Sequence, residues 1–543
     1  MRVRSWLVVL TAVGTVVAAV AVPAPAAPRG WGRAVPVRNV VASSPVAGGG
    51  YPSPGSVYTP GTCTSGTMNS NRSESWLAVK PGTEDLVGTS KFFFDRWSTF
   101  YNFHLGSYSI EGGAVAGNNQ VQGYECTTVG TQAMPPSWTH DTDPNAAFDT
   151  QGRVYQTTLP FNAFWQNLHP NSAIDVSYSD DLGRTWVKGN GGRDLEQSPN
   201  ASSKQVGHVE DKQWVAVNAV PGSPYRDHVY AAWAVFNGQG TKVRMAVSRD
   251  RGQSFDTAFT LSAPAQVGPA VTFVMPTVDA AGTVHVSVVS FPPNGGASTI
   301  YVASSTDDAR TWSDFVPVTQ VGIMPGASLP NTRFRDGMTE SLAASPTHPG
   351  HLYLAYEDWD GSQFDVKFTQ STDGGRTWSN PVVVNDDGGA TDQFQPSVAA
   401  GPDGAVAVAF YDRRAACPNE PAVVPEHVGR TNFCVDTSLQ VYSDHGAGAV
   451  PVGANVRFST HTWDPENPVQ HVGGLGQAAC ASHDDPCQLT FIGDYFGLAV
   501  SATQVYGLFV STHYPSSVPA DEGGFVYYQQ QVLASAARSE LGI

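Results

Sequence analysis

The sequence predicts an all-β protein, a β-propeller of four-stranded blades, with seven blades favoured and six as the alternative. Three observations carry this: an eight-residue turn spelling that recurs along the chain, a paired-strand pattern that recurs between its copies, and the lack of any amphipathic helical period. The 55 Gly and 39 Pro suit the many turns such a fold needs.

The turn spelling is Ser-x-Asp-x-Gly-x-Thr/Ser-aromatic. It is read at Ser179–Trp186, Ser248–Phe255, Ser305–Trp312 and Ser371–Trp378, with Ala309 replacing Gly in the third copy. Asp accepts hydrogen bonds from amides two residues on, Gly takes positive φ without steric cost, and the aromatic re-enters the core on the next strand. Asp181, Asp250, Asp307 and Asp373 are therefore read as turn residues, since a residue repeated once per unit serves the unit rather than one catalytic site. Successive copies start 69, 57 and 66 residues apart. That length holds four strands and their loops, as in a propeller blade. Worn copies at Ser109–Gly113 and Ser443–Gly446 bring the count to six.

Between the turns lie apolar hairpins, seven in all. Each pairs a short run with a second one: Trp76–Val79 with Leu86–Gly88, Ala146–Phe148 with Val154–Tyr155, Trp214–Val217 with Val229–Trp233, and Thr277–Asp279 with Val284–Val286. The series continues with Ser341–Ala344 and Leu352–Tyr356, Ser397–Ala400 and Val406–Phe410, and Phe496–Val500 and Val505–Phe509. One further strand, Phe525–Gln529, follows the seventh hairpin, which leaves a blade open for closure by the N-terminal segment.

The ends and totals set the context. Arg2 and Arg4 precede an apolar run from Trp6 to about Val22 and then Ala24-Pro25-Ala26, which reads as a secretory signal over residues 1–27. Residues 28–70 form a Pro/Gly-rich leader available to supply the closing strand, and 71–543 the propeller. Losing 1–27 removes two Arg and no acid, moving the formal charge from −17 to −19. Such a surface repels nucleic acid and anionic membranes. Export makes disulfides among the six Cys expected, paired with neighbours: Cys63 with Cys126, Cys417 with Cys434, Cys480 with Cys487. A secreted, extracellular monomer is the expectation.

The Ser-x-Asp spelling resembles the Asp box of sialidases and related β-propellers. Asp211–Val217 (DKQWVAV), Phe410–Arg414 (FYDRR) and Gly493–Ala499 (GDYFGLA) resemble secreted bacterial sialidase-like proteins, a likeness covering about residues 70–535. The resemblance implies an exo-glycosidase acting on glycans, terminal sialic acids among them, or a propeller that binds a glycan or protein without cleaving it. The Arg-Ile-Pro element usual in sialidases does not occur, so no catalytic residue transfers by motif.

In a propeller the loops before the first strand and after the second converge on one mouth of the central channel, away from the Ser-x-Asp turns. Sialidase-type chemistry needs Arg side chains for a substrate carboxylate, an Asp as acid/base, and a Tyr nucleophile activated by a carboxylate. Residues of each type lie in those loops: Arg72, Arg96, Arg335, Arg413 and Arg414 for the clamp, Trp97 and Trp359 for stacking, Asp141 or Asp143 as acid/base, Tyr495 or Tyr411 as nucleophile, and Glu340 as its base. No cofactor is called for; Asp141–Asp143 and Glu357–Asp360 offer oxygen ligands to Ca²⁺ but lack a spaced loop signature.

Overall fold

The computed structural model describes residues 30–43, 53–54, 63–64, 71–93, 103–120, 140–162, 171–198, 209–237, 240–292, 297–324, 326, 328–337, 340–466, 470–481 and 487–543. Seven antiparallel sheets form seven blades, six of them from strands successive in the chain. Blade 1 runs outward through Arg72–Val79, Leu86–Phe93, Phe103–Glu111 and Ala114–Gln120. Blade 3 starts at Val209–Val217, blade 4 at Val271–Val278, blade 5 at Glu340–Ala344 and blade 6 at Gln393–Ala400. In blade 2 the inner strand is split into His140–Thr142 and Ala147–Phe148, both paired with Val154–Asn162. Inner strands touch those of the next blade all the way round, including blade 7 against blade 1, so the ring is closed.

Blade 7 is assembled from both ends of the described chain. Gly497–Val500, Gln504–Ser511 and Gln530–Ala537 supply three strands, and Arg38–Val41 pairs antiparallel with the last as the fourth. The third strand thus begins at Gln530, directly after the aromatic run at Phe525–Gln529. Val526 and Tyr528 pack instead in a side cluster with Val518 and Ala520, leaving the small residues of Gln530–Ala537 to pair. The N-terminal segment is pinned further by Trp31, whose Nε1 donates to Ser438 Oγ at 2.7 Å while Arg414 and Arg457 lie 5.4 and 5.1 Å from its ring.

Second strands are buried on both faces because each is sandwiched between neighbouring blades. All eight residues of Ala405–Asp412 are buried, which is why these runs read as continuously apolar rather than alternating. Packing is between blades: Phe368 stacks on Tyr353 of its own blade at 6.3 Å and on Tyr442 of the next at 4.6 Å.

Each full copy of the Ser-x-Asp turn begins at the end of a third strand, and all four share one hydrogen-bond pattern. In the copy at Ser371, Ser371 Oγ donates to Asp373 Oδ1 at 2.8 Å, and Gly375 N donates to Ser371 Oγ at 2.9 Å. Thr377 then donates from N and Oγ1 to Asp373 at 2.9 and 2.6 Å. Ala309 N fills the Gly role at 3.0 Å, with φ 60°. Of the turn aromatics, Trp186 is fully buried and joins blade 2 to Val87 and Leu105 of blade 1. The worn copies bond differently: Asp444 accepts from Gly446 N at 2.7 Å and from His351 and Tyr353 of blade 5 at 2.7 Å each.

Two disulfides staple loops at the mouth face, Cys417–Cys434 and Cys480–Cys487. Both pairings match the neighbour rule; the Cys63–Cys126 pairing lies outside the described side chains. Among the described residues no helix is long and apolar enough to cross a membrane.

Candidate functional site at the channel mouth

A repeated backbone irregularity builds the mouth. Counting five residues back from the ends of the inner strands at Val79, Phe148, Val217, Val278 and Ala400 reaches Glu74, Asp143, Lys212, Phe273 and Gln395. Their φ values are 47°, 57°, 52°, 54° and 45°. Pairing with the second strand shifts register around this position in blades 1, 3, 4 and 6. A β-bulge with positive φ at a non-glycine residue costs about 1–3 kcal/mol and re-aims a side chain. The corresponding residue of blade 7 is Tyr495, preceded by Gly493 at φ 108°, where an added Cβ would lie 2.5 Å from Glu74 N.

The re-aimed side chains meet as a chain of ion pairs across four blades. Lys91 Nζ lies 2.5 Å from Glu74 and 3.3 Å from Asp143; Lys212 Nζ lies 3.5 Å from Asp143 and 2.9 Å from Asp494. Arg335 closes the series, one nitrogen donating to both oxygens of Asp494 at 2.8 Å each. Arg335 is carried by Phe334–Arg335, which pairs in parallel with Thr490–Phe491, and its guanidinium sits 4.6 Å from the Phe491 ring. Burial deepens inward: the Arg335 and Lys212 side chains are 30% and 18% exposed, Lys91 and Glu74 only 4% and 0%. Next to these charges, Trp76, Trp214 and Tyr495 meet from blades 1, 3 and 7, with centroids 4.6 Å (Trp76–Trp214) and 5.0 Å (Trp214–Tyr495) apart.

This environment separates the carboxyls into two groups. Burial opposes ionisation of Asp494 and Asp143, but Arg335 and Lys212 outweigh it at the first, and Lys212 and Lys91 at the second; both are held well below the usual range. Burial wins elsewhere: Glu74 is pushed up to about 8 despite Lys91, Asp336 to about 7 and Asp211 to about 6. Asp336 leans on Gln395, whose Nε2 donates to Asp336 Oδ1 at 2.8 Å and to Gly493 O at 2.7 Å.

The residues expected from sequence fall into distinct places. Asp143, Arg335 and Tyr495 meet in the cluster just described. Tyr495 Oη donates to Pro144 O at 3.1 Å, and burial together with Glu74 and Asp143 pushes its hydroxyl far up. Glu340 is fully buried, accepts from Ser287 Oγ at 3.1 Å and is pushed up to about 8 by that burial. Among the described residues no hydrogen bond joins it to Tyr495. Asp141 is buried behind Asp143, accepting from Thr142 N at 2.9 Å, and burial with nearby Asp175 raises it. Tyr411 is buried against Phe496 and accepts from Val510 N at 3.2 Å.

The expected clamp is dispersed. Arg413 bonds Pro330 O at 2.8 Å and Asp392 at 3.2 Å. Arg414 bonds Asp412 and Asp386 at 2.7 Å each. Arg72 is buried in the first strand of blade 1. Trp359 packs edge-on to Phe364 at 5.2 Å. Arg96 and Trp97 lie outside the described residues. In the Glu357–Asp360 stretch, Glu357 accepts from Gln395 N at 2.6 Å, Asp358 from Gly322 N at 2.6 Å and Asp360 from Ser362 N at 2.8 Å. Among the described residues no group of three or more His, Cys, Asp or Glu is placed to hold a metal ion.

Sequence reasoning missed Lys91, the roles of Trp76 and Trp214, and Phe273. The one legible signal was a lysine inside the otherwise uncharged strand Leu86–Phe93. Nothing in Glu, Lys, Phe or Gln announces a left-handed backbone.

No family model and no curated protein matches the chain. Among solved structures it is similar to a Hadza microbial sialidase, at 12% identity over 83% of this chain and 76% of that one, TM-score 0.41. The phage phi92 endosialidase shares 9% identity over 86% and 67%, TM-score 0.42. An alpha-L-arabinofuranosidase of Fusarium graminearum shares 13% over 74% and 94%, TM-score 0.36. Likeness at this level says nothing of what this chain binds or cleaves.

Proposed function

We propose that the chain is a secreted, glycan-acting propeller: an exo-glycosidase that takes the acidic end of a glycan, such as a terminal sialic acid, into the mouth at Arg335 and Lys212. The observation that carries this reading is the convergence of those two part-exposed cations on Asp494 beside an aromatic cluster of Trp76, Trp214 and Tyr495. Cations pair with a sugar carboxylate and aromatic faces suit sugar rings. Cleaving a glycosidic bond needs one carboxyl that stays ionised and one that keeps its proton near neutrality. Asp494 meets the first need and Asp336 the second. Tyr495 is left as a packing residue, because its hydroxyl is engaged by a carbonyl and surrounded by carboxylates. The leader and two disulfides fit export.

A second reading, a propeller that binds a glycan or protein without cleaving it, is favoured by the pairing of Arg335, Arg413 and Arg414 with carboxylates. The test is a fluorogenic panel of neutral and acidic glycosides, a sialoside among them, run on wild type and Asp494→Asn, beside a glycan array. Release abolished by Asp494→Asn supports the enzyme. Array binding without release supports the second reading, and neither release nor binding overturns both.

A further inference from the structure

The mouth holds more carboxyls than its cations neutralise. Lys91, Lys212 and Arg335 face Glu74, Asp143, Asp211, Asp336 and Asp494, three positive charges against five negative if all ionise. Only Asp143 and Asp494 are bonded to two cations each. Asp336 is 4% exposed, and among the described residues it has no cation partner and its Oδ2 no hydrogen-bond partner. Its neighbours by charge are Asp494 and Asp392, both negative. Further charged or titratable groups around the ring are Arg72 in blade 1, Asp141 in blade 2, Glu210 in blade 3, and Glu340 and Glu357 in blade 5, with Asp392 engaged by Arg413 behind blade 6. Blade 4 contributes Phe273, which is uncharged.

We propose that the mouth is charge-gated: it admits an anionic sugar when Asp336 and the carboxyls bonded to fewer than two cations carry protons, and repels one when they are ionised. This rests on the glycan-acting reading and adds its regulation. With Asp143 and Asp494 alone ionised, these eight groups sum to +1; with all five carboxyls ionised they sum to −2. Lys212 and Arg335 keep their charge throughout, since both are shifted upward: burial opposes this, but Asp143 and Asp494 outweigh it at Lys212, and Asp494 at Arg335. The three gating carboxyls change state between about 6 and about 8. In a low-dielectric ring, one added negative charge near Arg335 is weakly screened, so the change acts on an anion without contact.

Titration calorimetry with D-glucuronate and D-glucose at pH 5.5 and 8.5 tests this on the intact chain. Glucuronate should bind roughly tenfold or more tightly at the lower pH, and glucose equally at both, because linkage gives up to about tenfold per pH unit for each coupled proton. Asp336→Asn removes the charge without the shape and should bring glucuronate binding at pH 8.5 toward the pH 5.5 value; circular dichroism at both pH values checks that it folds. The wild-type comparison stands without the variant. Equal glucuronate affinity at both pH values, the same pH response for glucose, or unchanged pH dependence in a folded Asp336→Asn overturns the gate while leaving the glycan reading intact. Binding of neither sugar, with no hydrolysis in the glycoside panel, overturns both.

Discussion

Arg335 and Asp494 form the outermost pair of the mouth: one guanidinium nitrogen bonds both carboxylate oxygens at 2.8 Å, and the same carboxylate takes Lys212 at 2.9 Å. Asp494→Asn leaves two cations facing each other across a site where Asp494 is 8% exposed. Breaking a buried pair costs up to about 3–5 kcal/mol, reduced here because Arg335 and Lys212 reach solvent. The expected outcome in urea unfolding is a loss of roughly 1–3 kcal/mol. Arg335→Lys, which keeps charge but not the fork, should lose less.

Glu340 makes stability depend on pH. Burial raises it from 4.5 to about 8, so between those values the folded state holds a proton that the unfolded state has released. Stability from this group is therefore present below pH 4.5 and is lost as pH rises toward 8. Glu340→Gln should be close to neutral at pH 4.5 and stabilising by roughly 1–4 kcal/mol at pH 8.5, read as a flatter dependence of Tm on pH. Equal effects at both pH values would remove the assignment.

Trp214 joins three blades through Trp76 and Tyr495 and is 7% exposed. Trp214→Ala should cost about 3–5 kcal/mol by the cavity it leaves. Differential scanning calorimetry should show the drop in a single transition, since the ring closes only as a whole.

Asp373 bonds Ser371, Thr377 and Arg376 N within its own turn. Asp373→Ala should lower stability by about 1–2 kcal/mol and leave the proposed glucuronate binding, read by calorimetry, unchanged. Loss of binding with retained stability would instead assign this residue to the functional site.

The Cys417–Cys434 bond spans 17 residues, a loop whose closure is worth about 3 kcal/mol in the chain-entropy account. Replacing both by Ser should lower stability by that order. The effect should vanish when wild type is measured under reducing conditions.

Much of the fold was legible because it is local. The spacing of Ser179, Ser248, Ser305 and Ser371 follows from turns whose hydrogen bonds close within five residues. The hairpins follow from apolar runs that must be covered on both sides. The third strand of blade 7 was misplaced because Tyr527 and Tyr528 have stronger strand propensity than Gln530–Ala537, whereas pairing was decided by the neighbour at Gln504–Ser511. At the mouth, Asp143, Arg335 and Tyr495 were legible as members of converging loops, and they meet in one cluster. Their partners were not: Lys91 sits on a second strand, and Asp392 and Asp412 turned out to occupy Arg413 and Arg414.

By itself, then, the sequence determined a ring of four-stranded blades, their phase, and the end of the ring at which charged and aromatic loops converge, since each of these is encoded by residues near one another in the chain. Tertiary structure alone decided that Glu74, Asp143, Lys212, Phe273 and Gln395 take the same left-handed bulge, and which carboxyls share a cation and which keep a proton. The reason is physical: a bulge is held by the strands on either side of it, and an ionisation state by charges and burial contributed by other blades, so neither is a property of the residue that displays it.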